Sequence, residues 1–367
     1  MRLLYITNQI FAAAGLERVL SIKASALADD FDYDVHIITL NQGNEPLFYS
    51  FSNKITYHDL SIKGNTLNYI FNYISKIRDT INKINPDCIS VCDDGLKGFY
   101  LPFLISKNCP IIYERHASKY ISLNSNSLRD KIKHYLQNKL MHIGAKKFDA
   151  FVVLTDNNVK EWELRNIRVI PNPLSFYPHD FSTVSENKVI SVGSHYYQKG
   201  FDVLLQIWAT LSAQFPNWEL NIYGKADDKN TYSKLAKKLK IDHQVNFFKP
   251  VKNIGDKYKE SSIYAMTSRS EGFGMVLIEA MAYGVPCIAF DCPSGPKDII
   301  TNNEDGFLIS NGDLSDYTEK LKYLMQNKEE RSKMGQAARL KSKTYLPESI
   351  ILQWHTLFTN LRLKSIK

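Results

Sequence analysis

The chain has 367 residues, of which 44% are hydrophobic and 23% charged. That composition excludes a disordered chain and is large enough for two ordinary domains with separate cores. Without an uncharged apolar run of about 18 residues, no transmembrane helix is expected. Five scattered cysteines (88, 92, 109, 287, 292) exclude a disulfide scaffold and suit small buried residues in a reducing cytosol.

The net charge is +8, and it is uneven. Between Arg115 and Lys147 stand Arg115, Lys119, Arg129, Lys131, Lys133, Lys139, Lys146 and Lys147 against the single acid Asp130. Such a patch attracts an anionic surface, whether membrane, polyphosphate or nucleic acid.

In chain order, Arg2, an apolar stretch and Ala12-Ala13-Ala14 imitate a signal peptide. Thr7, Asn8 and Gln9 interrupt it, so Leu3–Ile6 reads instead as a buried first strand. A helix over Leu16–Ala28 and a strand over Val35–Leu40 follow. Next come a helix over Leu67–Ile84 and strands at Cys88–Cys92 and Ile111–Tyr113. A basic helix at Leu128–Ile143 precedes strands at Ala150–Leu154 and Ile167–Ile170. Short apolar runs between longer amphipathic ones indicate a parallel sheet covered on both faces.

Pro171-Asn172-Pro173 breaks the pattern, and a linker is expected over 174–187. The alternation then restarts. Strands are expected at Val189–Val192, Leu220–Tyr223, Val245–Phe248, Ile263–Met266 and Pro286–Phe290. Helices are expected at Phe201–Phe215, Tyr232–Leu239, Met275–Tyr283, Leu314–Gln326 and Glu329–Lys343. After Pro347 a last helix carries Ile350, Ile351, Trp354, Leu357, Phe358 and Leu361 at helical spacing. The expected division is therefore 1–173, a linker 174–187, 188–345, and a helix 346–367 crossing back to the first domain.

The densest chemical signal runs from Ser268 to Pro286. A strand ends, a loop holds Glu271, Gly272, Phe273 and Gly274, and a helix opens at Met275 and Val276. Glycines permit close backbone approach, and the unpaired N–H groups of a helix start form an anion site suited to a diphosphate. Glu279, one turn into the helix, suits vicinal ribose hydroxyls. Glu271 suits sugar hydroxyls or developing positive charge at an anomeric carbon. The plain alternative is an N-capping carboxylate and an exposed helical glutamate. A second signal is Gly193-Ser194-His195 leading to Lys199-Gly200, where a strand gives way to a helix. A cation there would neutralise a departing diphosphate, although a solvated loop lysine has the same sequence. Gly15 marks a further strand-to-helix turn, with neither a dinucleotide nor a P-loop fingerprint.

Together these segments resemble retaining glycosyltransferase family 4, in its bacterial polysaccharide and lipopolysaccharide branch. Glu271 and Glu279 stand as that family's E-x7-E pair, Lys199–Asp202 as its Lys-Gly-Phe-Asp segment, and Pro293–Pro296 as a Pro-Ser-Gly-Pro run. Asp305–Leu308 resembles its loop before the late helices, and Gly15-Leu16-Glu17 its opening helix. The resemblance implies an α/β GT-B fold, two Rossmann-like domains facing across a cleft. It implies that Lys199 binds the donor diphosphate and Glu279 the ribose, that Glu271 with the backbone of Gly272, Phe273 and Gly274 holds the sugar, and that the base lies near Val251. Where the family often has a second diphosphate cation, this chain has Ser194 and then His195, so either His195 or another residue compensates or phosphate binding is weaker. His116 offers the family's histidine after the strand ending at Tyr113 and would join Lys199 and Glu271 as a catalytic residue, although a loop histidine is usually only solvated.

The expected activity is transfer of a hexose or N-acetylhexosamine, with a UDP-sugar favoured, and retention of configuration. No cofactor and no metal are expected. The expected acceptor is a lipid-linked oligosaccharide, lipopolysaccharide or capsule precursor. The protein is expected in the cytoplasm, peripheral on the inner face of the membrane through the basic helix, without a nucleic-acid partner. A nucleotide-sugar epimerase of the same fold and a polyanion-binding protein are the alternatives. The second would have to place Glu271 and Glu279 beside phosphates they repel.

Overall fold

The computed structural model describes residues 1–12, 14–93, 95–105, 108–119 and 128–366. Ala13, in the run that imitates a cleavage site, lies outside them. The chain packs as two units: Met1–Ser175 with the C-terminal segment from Pro347, and Phe176–Leu346.

In the first unit the elements are β1 (Arg2–Thr7), α1 (Gly15–Asp29), β2 (Asp34–Leu40), β3 (Thr56–Leu60), α2 (Thr66–Ile84), β4 (Cys88–Cys92), α3 (Leu96–Leu104), β5 (Ile111–Glu114), α4 (Leu128–Ala145), β6 (Ala150–Val153), α5 (Asp156–Trp162) and β7 (Ile167–Val169). The strands form a parallel sheet in the order β3-β2-β1-β4-β5-β6-β7. The N-terminal apolar run is thus an inner strand. Successive side chains of a strand alternate between faces. Leu4 and Ile6 enter one core with Phe99, Phe151 and Trp162. Leu3 and Tyr5 enter another with Leu20, Ile350, Trp354 and Phe358.

Three elements of this unit escape the periodicity argument: β3, α3 and the short α5. β3, with sequence TYHDL, is a half-exposed edge strand, so it needs no apolar run. α3 contains Gly98 and Pro102, yet it buries Phe99 and Leu101. α4 crosses it closely: a Cβ on Gly144 would lie 2.4 Å from the Phe99 carbonyl oxygen.

The second unit contains β8 (Lys188–Val192), α6 (Phe201–Leu211), β9 (Glu219–Tyr223), α7 (Thr231–Lys238), β10 (Val245–Phe248), α8 (Gly255–Lys259), β11 (Ile263–Met266), α9 (Met275–Ala282), β12 (Cys287–Asp291), α10 (Pro296–Ile299), β13 (Gly306–Ser310), α11 (Leu314–Gln326) and α12 (Lys328–Ser342). Its parallel sheet runs β10-β9-β8-β11-β12-β13. The Gly306–Leu308 stretch, expected as loop, is the start of edge strand β13 and pairs with β12.

Residues 176–187 are bound to this second unit. The Ser182 backbone N–H donates to the Tyr283 carbonyl (2.8 Å), and buried Arg331 donates to the Val184 carbonyl (3.2 Å). The last helix, α13 (Pro347–Ile366), packs on α1 in the first unit. It buries Ile350, Ile351, Trp354 and Phe358, each worth about 1.5–3 kcal/mol relative to exposure. Among the described residues, no helix is long and apolar enough to cross a membrane.

Candidate functional site

In both sheets the strand order reverses beside the first strand, at β1/β4 and at β8/β11. Open parallel sheets hold ligands beyond the carboxyl ends of strands at such a reversal. In the second unit the two loops there are Gly193–Gly200, after β8, and Thr267–Gly274, after β11. They are the two loops that carry the chemical residues.

The loops are laced together. Arg269 pairs with Asp202 at 2.6 Å and 2.9 Å, donates to the Tyr197 carbonyl (2.6 Å), and has its guanidinium 3.9 Å from the Tyr197 ring centre. The Arg269 N–H donates to the Gln198 carbonyl (2.7 Å), and the Gln198 amide returns a bond to the Ser270 carbonyl (2.7 Å). Gly200 has φ +66°, and a Cβ there would lie 2.0 Å from the Thr267 carbonyl oxygen. No L side chain fits that approach. A second contact backs the Thr267–Gly274 loop: at Gly295 (φ +101°) a Cβ would lie 2.0 Å from the Phe273 carbonyl oxygen.

This scaffold brings Lys199 and Glu271 together. Lys199 Nζ lies 2.8 Å from Glu271 Oε1, with the lysine about a quarter exposed and the glutamate buried. Gly272, Met275 and Val276 are half-buried, and Phe273 and Gly274 are buried. α9 begins at Met275 after Gly274 with no side-chain cap. Its first N–H groups therefore point out of the helix start, and a fractional positive charge gathers there.

Glu279 is not an exposed helical glutamate. It is 1% exposed, and its Oε2 accepts a hydrogen bond from the Tyr258 hydroxyl (3.2 Å). Tyr258, on short α8, orients this carboxylate, and nothing in the sequence spacing points to it. Val251 is half-buried in the loop after β10, where Tyr223 and Phe248 stack at 4.7 Å from the ends of β9 and β10.

His195, which could stand in for a second diphosphate cation, is buried among aromatic rings. Its ring sits among Phe201, Tyr232 and Phe247 with centroid distances of 5.4, 5.6 and 5.6 Å. Burial holds its pKa below the usual histidine value, against a smaller upward pull from Asp227. Such surroundings disfavour a positive charge on the ring.

The first unit holds Gly15 and His116. Gly15 opens α1 with nothing within 4 Å of where a Cβ would stand. His116 follows β5, with its side chain 8% exposed, and its Nε2 lies 3.3 Å from Glu114 Oε2. Glu114 is fully buried, takes an ion pair from buried Lys23, and accepts from the Ser90 hydroxyl (2.5 Å). Burial would push the Glu114 carboxyl up, but Lys23 and His116 together hold it down, to about 2.

Cys92, Glu114 and His116 converge closely enough to be tested as a metal site. The Lys23 ammonium already occupies Glu114, so this donor set suits an ion pair better than a cation. Asp-x-Asp triplets occur at Asp30–Asp32 and Asp32–Asp34, from the end of α1 to the first residue of β2 and far along the chain from the Thr267–Gly274 loop. There Asp34 pairs with Arg2 (2.7 Å) and His36 (3.1 Å).

α4 has two faces. Met141, Gly144 and Ala145 are buried, whereas Ile132, Tyr135, Leu136, Leu140 and Ile143 are exposed. These five fall at helical spacing on one side, beside exposed Lys131, Lys133 and Lys139.

A family model described as glycosyl transferases group 1 matches residues 180–341, and one described as glycosyl transferase 4-like matches residues 10–153. A Haemophilus influenzae protein described as an uncharacterized glycosyltransferase is 32% identical, covering 95% of this chain and 97% of that one. The amylovoran biosynthesis glycosyltransferase AmsD of Erwinia amylovora is 30% identical, covering 97% and 99%. Among solved structures, S. aureus TarM with fondaparinux, alpha-GlcNAc-glycerol and UDP superposes with a TM-score of 0.79 at 16% identity, covering 97% of this chain and 99% of TarM.

Proposed function

Since the chain belongs to the family 4 glycosyltransferases of GT-B fold that act in polysaccharide biosynthesis, we propose that it moves a hexose or N-acetylhexosamine from a UDP-sugar, with retention, to a lipid-linked oligosaccharide, lipopolysaccharide or capsule precursor. One observation carries this reading: the Lys199–Glu271 pair, set in two interlocked loops beside an uncapped helix start.

A bound donor gives Lys199 a second anionic partner. The ammonium and the α9 N–H groups favour negative charge on the departing diphosphate, which grows as the glycosidic bond breaks. Glu271 holds sugar hydroxyls and offsets positive charge at the anomeric carbon. Glu279, oriented by Tyr258, accepts from the ribose. With a lysine and a helix start supplying positive charge, the transfer needs no metal. Activity should survive excess EDTA, and strict dependence on manganese or magnesium would refute this part.

The two-faced α4 supports docking on an anionic membrane, where each cation near the surface adds about 1 kcal/mol. The exposed apolar side chains would enter the interface while the lysines meet lipid headgroups.

The deciding experiment is a thermal-shift screen of UDP-, GDP- and ADP-sugars followed by an assay of nucleotide release. A donor that binds the folded state at a hundred times its Kd stabilises it by about 2.7 kcal/mol. Stabilisation by UDP-sugars alone is the expected result. A response confined to GDP- or ADP-sugars would overturn the donor assignment.

A further inference from the structure

In the first unit, five buried groups from five elements meet behind His116. Lys23 of α1 and Glu114 at the end of β5 form an ion pair with both side chains 1% exposed. Ser90 of β4 donates to Glu114 Oε1, and His116 Nε2 faces Glu114 Oε2. The Lys23 ammonium lies 3.9 Å from the Trp354 ring centre on α13 and 5.0 Å from that of Tyr5 on β1. Cys92 of β4 adjoins the cluster.

A buried ion pair stabilises a fold poorly, because removing two charges from water offsets most of their attraction. Leucine or methionine would fill this space as well. What a carboxylate does that they cannot is accept a proton-bearing nitrogen in one fixed direction. Glu114 has two oxygens, and Ser90 and Lys23 hold both in place. Its Oε2 is thereby aimed at His116 as well.

We propose that Glu114 is a positioning residue for the transfer reaction: anchored by Lys23 and Ser90, it accepts the Nε2–H of His116 and fixes that imidazole in one tautomer. Nδ1 is then the nitrogen that carries the lone pair, and the ring plane is set by the carboxylate. Trp354 and Tyr5 keep the ammonium dry, so α13 takes part in holding the His116 ring. This inference rests on the reading that His116 belongs to the reaction site.

The experiment has two arms on the full chain. Long-range proton–nitrogen correlation spectra of histidine-labelled protein at mildly alkaline pH report the tautomer, with His116→Gln assigning the signal. The expected wild-type pattern is a single Nε2–H tautomer. Glu114→Gln should replace it with an average of both tautomers. Lys23→Met should give the doubly protonated pattern, because His116 then becomes the cation beside Glu114. If a single variant fails to fold, Lys23→Met/Glu114→Gln replaces the pair by neutral groups and should also show mixed tautomers. A wild-type Nδ1–H tautomer, or a spectrum that no variant changes, overturns the proposal.

The second arm follows UDP release from whichever of UDP-glucose, UDP-galactose and UDP-GlcNAc the wild type turns over fastest. Glu114→Gln should lower kcat about tenfold with KM for that donor unchanged. Slowing by His116→Gln but not by Glu114→Gln overturns the positioning role alone. Unchanged turnover in both variants overturns the placement of His116 in the site, and with it the role given to Glu114.

Discussion

Lys199 and Glu271 sit 2.8 Å apart although 72 residues separate them, and each belongs to a loop at the point where the second sheet reverses its strand order. The pair lets the loops hold an ammonium and a carboxylate together before a donor arrives. Each charge offsets the other, and in the proposed reaction diphosphate and sugar would take their places.

Replacing the ammonium tests that arrangement. Lys199→Ala should slow turnover about a hundredfold or more, as removal of other preorganised donors does, with a smaller loss of donor affinity. The split arises because leaving-group charge is greatest in the transition state. Steady-state kinetics decide it: a fall of less than about fivefold returns Lys199 to the role of a surface residue.

Ribose recognition is tested separately. Glu279→Ala removes a buried, charged acceptor and should weaken UDP binding by about 2–3 kcal/mol. Titration calorimetry on folded variant protein measures this. Tyr258→Phe removes the hydroxyl that orients Glu279, and should cost about 1 kcal/mol of the same affinity. Full affinity in a folded Glu279→Ala protein refutes the ribose contact.

The two sheets were legible in the sequence because inner parallel strands must be apolar on both faces, and Leu3–Ile6 or Ile263–Met266 can hardly be anything else. The polar edge strand β3 and the proline-bearing α3 were not, since neither obeys a period. Lys199, Glu271 and Glu279 were marked by glycines and by spacing. Arg269, Tyr258 and Glu114 were not. Their roles depend on partners 21 to 91 residues away (Asp202, Glu279, Lys23), which no local pattern encodes. The aromatic surroundings of His195 were hidden for the same reason: its neighbours Tyr232 and Phe247 are far along the chain.

Acid should weaken the first unit through Glu114. Its carboxyl lies at about 2 in the folded chain against 4.5 for an unperturbed glutamate. A lowered carboxyl stabilises the fold fully above its unfolded value, and that stability is lost as pH falls towards the folded value. The contribution is about 3 kcal/mol, lost progressively between about pH 5 and pH 2. Urea unfolding across that range should show the fall in wild type and a flatter profile in Lys23→Met/Glu114→Gln. Parallel profiles would mean that the ion pair is not what acid breaks.

Stereochemistry tests the mechanism most directly. An inverting transferase needs a general base on the face of the sugar opposite the leaving group, and a double displacement needs a carboxylate nucleophile against the anomeric carbon. The donor loop offers one carboxylate for either task, Glu271, and it is occupied. Lys199 holds its Oε1, and the Ser294 hydroxyl holds its backbone carbonyl (3.0 Å). A carboxylate so restrained suits binding of sugar hydroxyls better than attack on carbon. In the proposed mechanism the group left nearest the incoming hydroxyl is the diphosphate oxygen, which Lys199 and the start of α9 would hold, and it would accept the acceptor's proton as the glycosidic bond breaks. Attack would then come on the face from which the diphosphate leaves, and an α-linked donor should give an α-linked product. The anomeric proton signal of the product, read by NMR from a single donor and a purified acceptor, settles it. A β signal would show that a base outside this loop does the work, and would remove Lys199 and Glu271 from the roles given to them here.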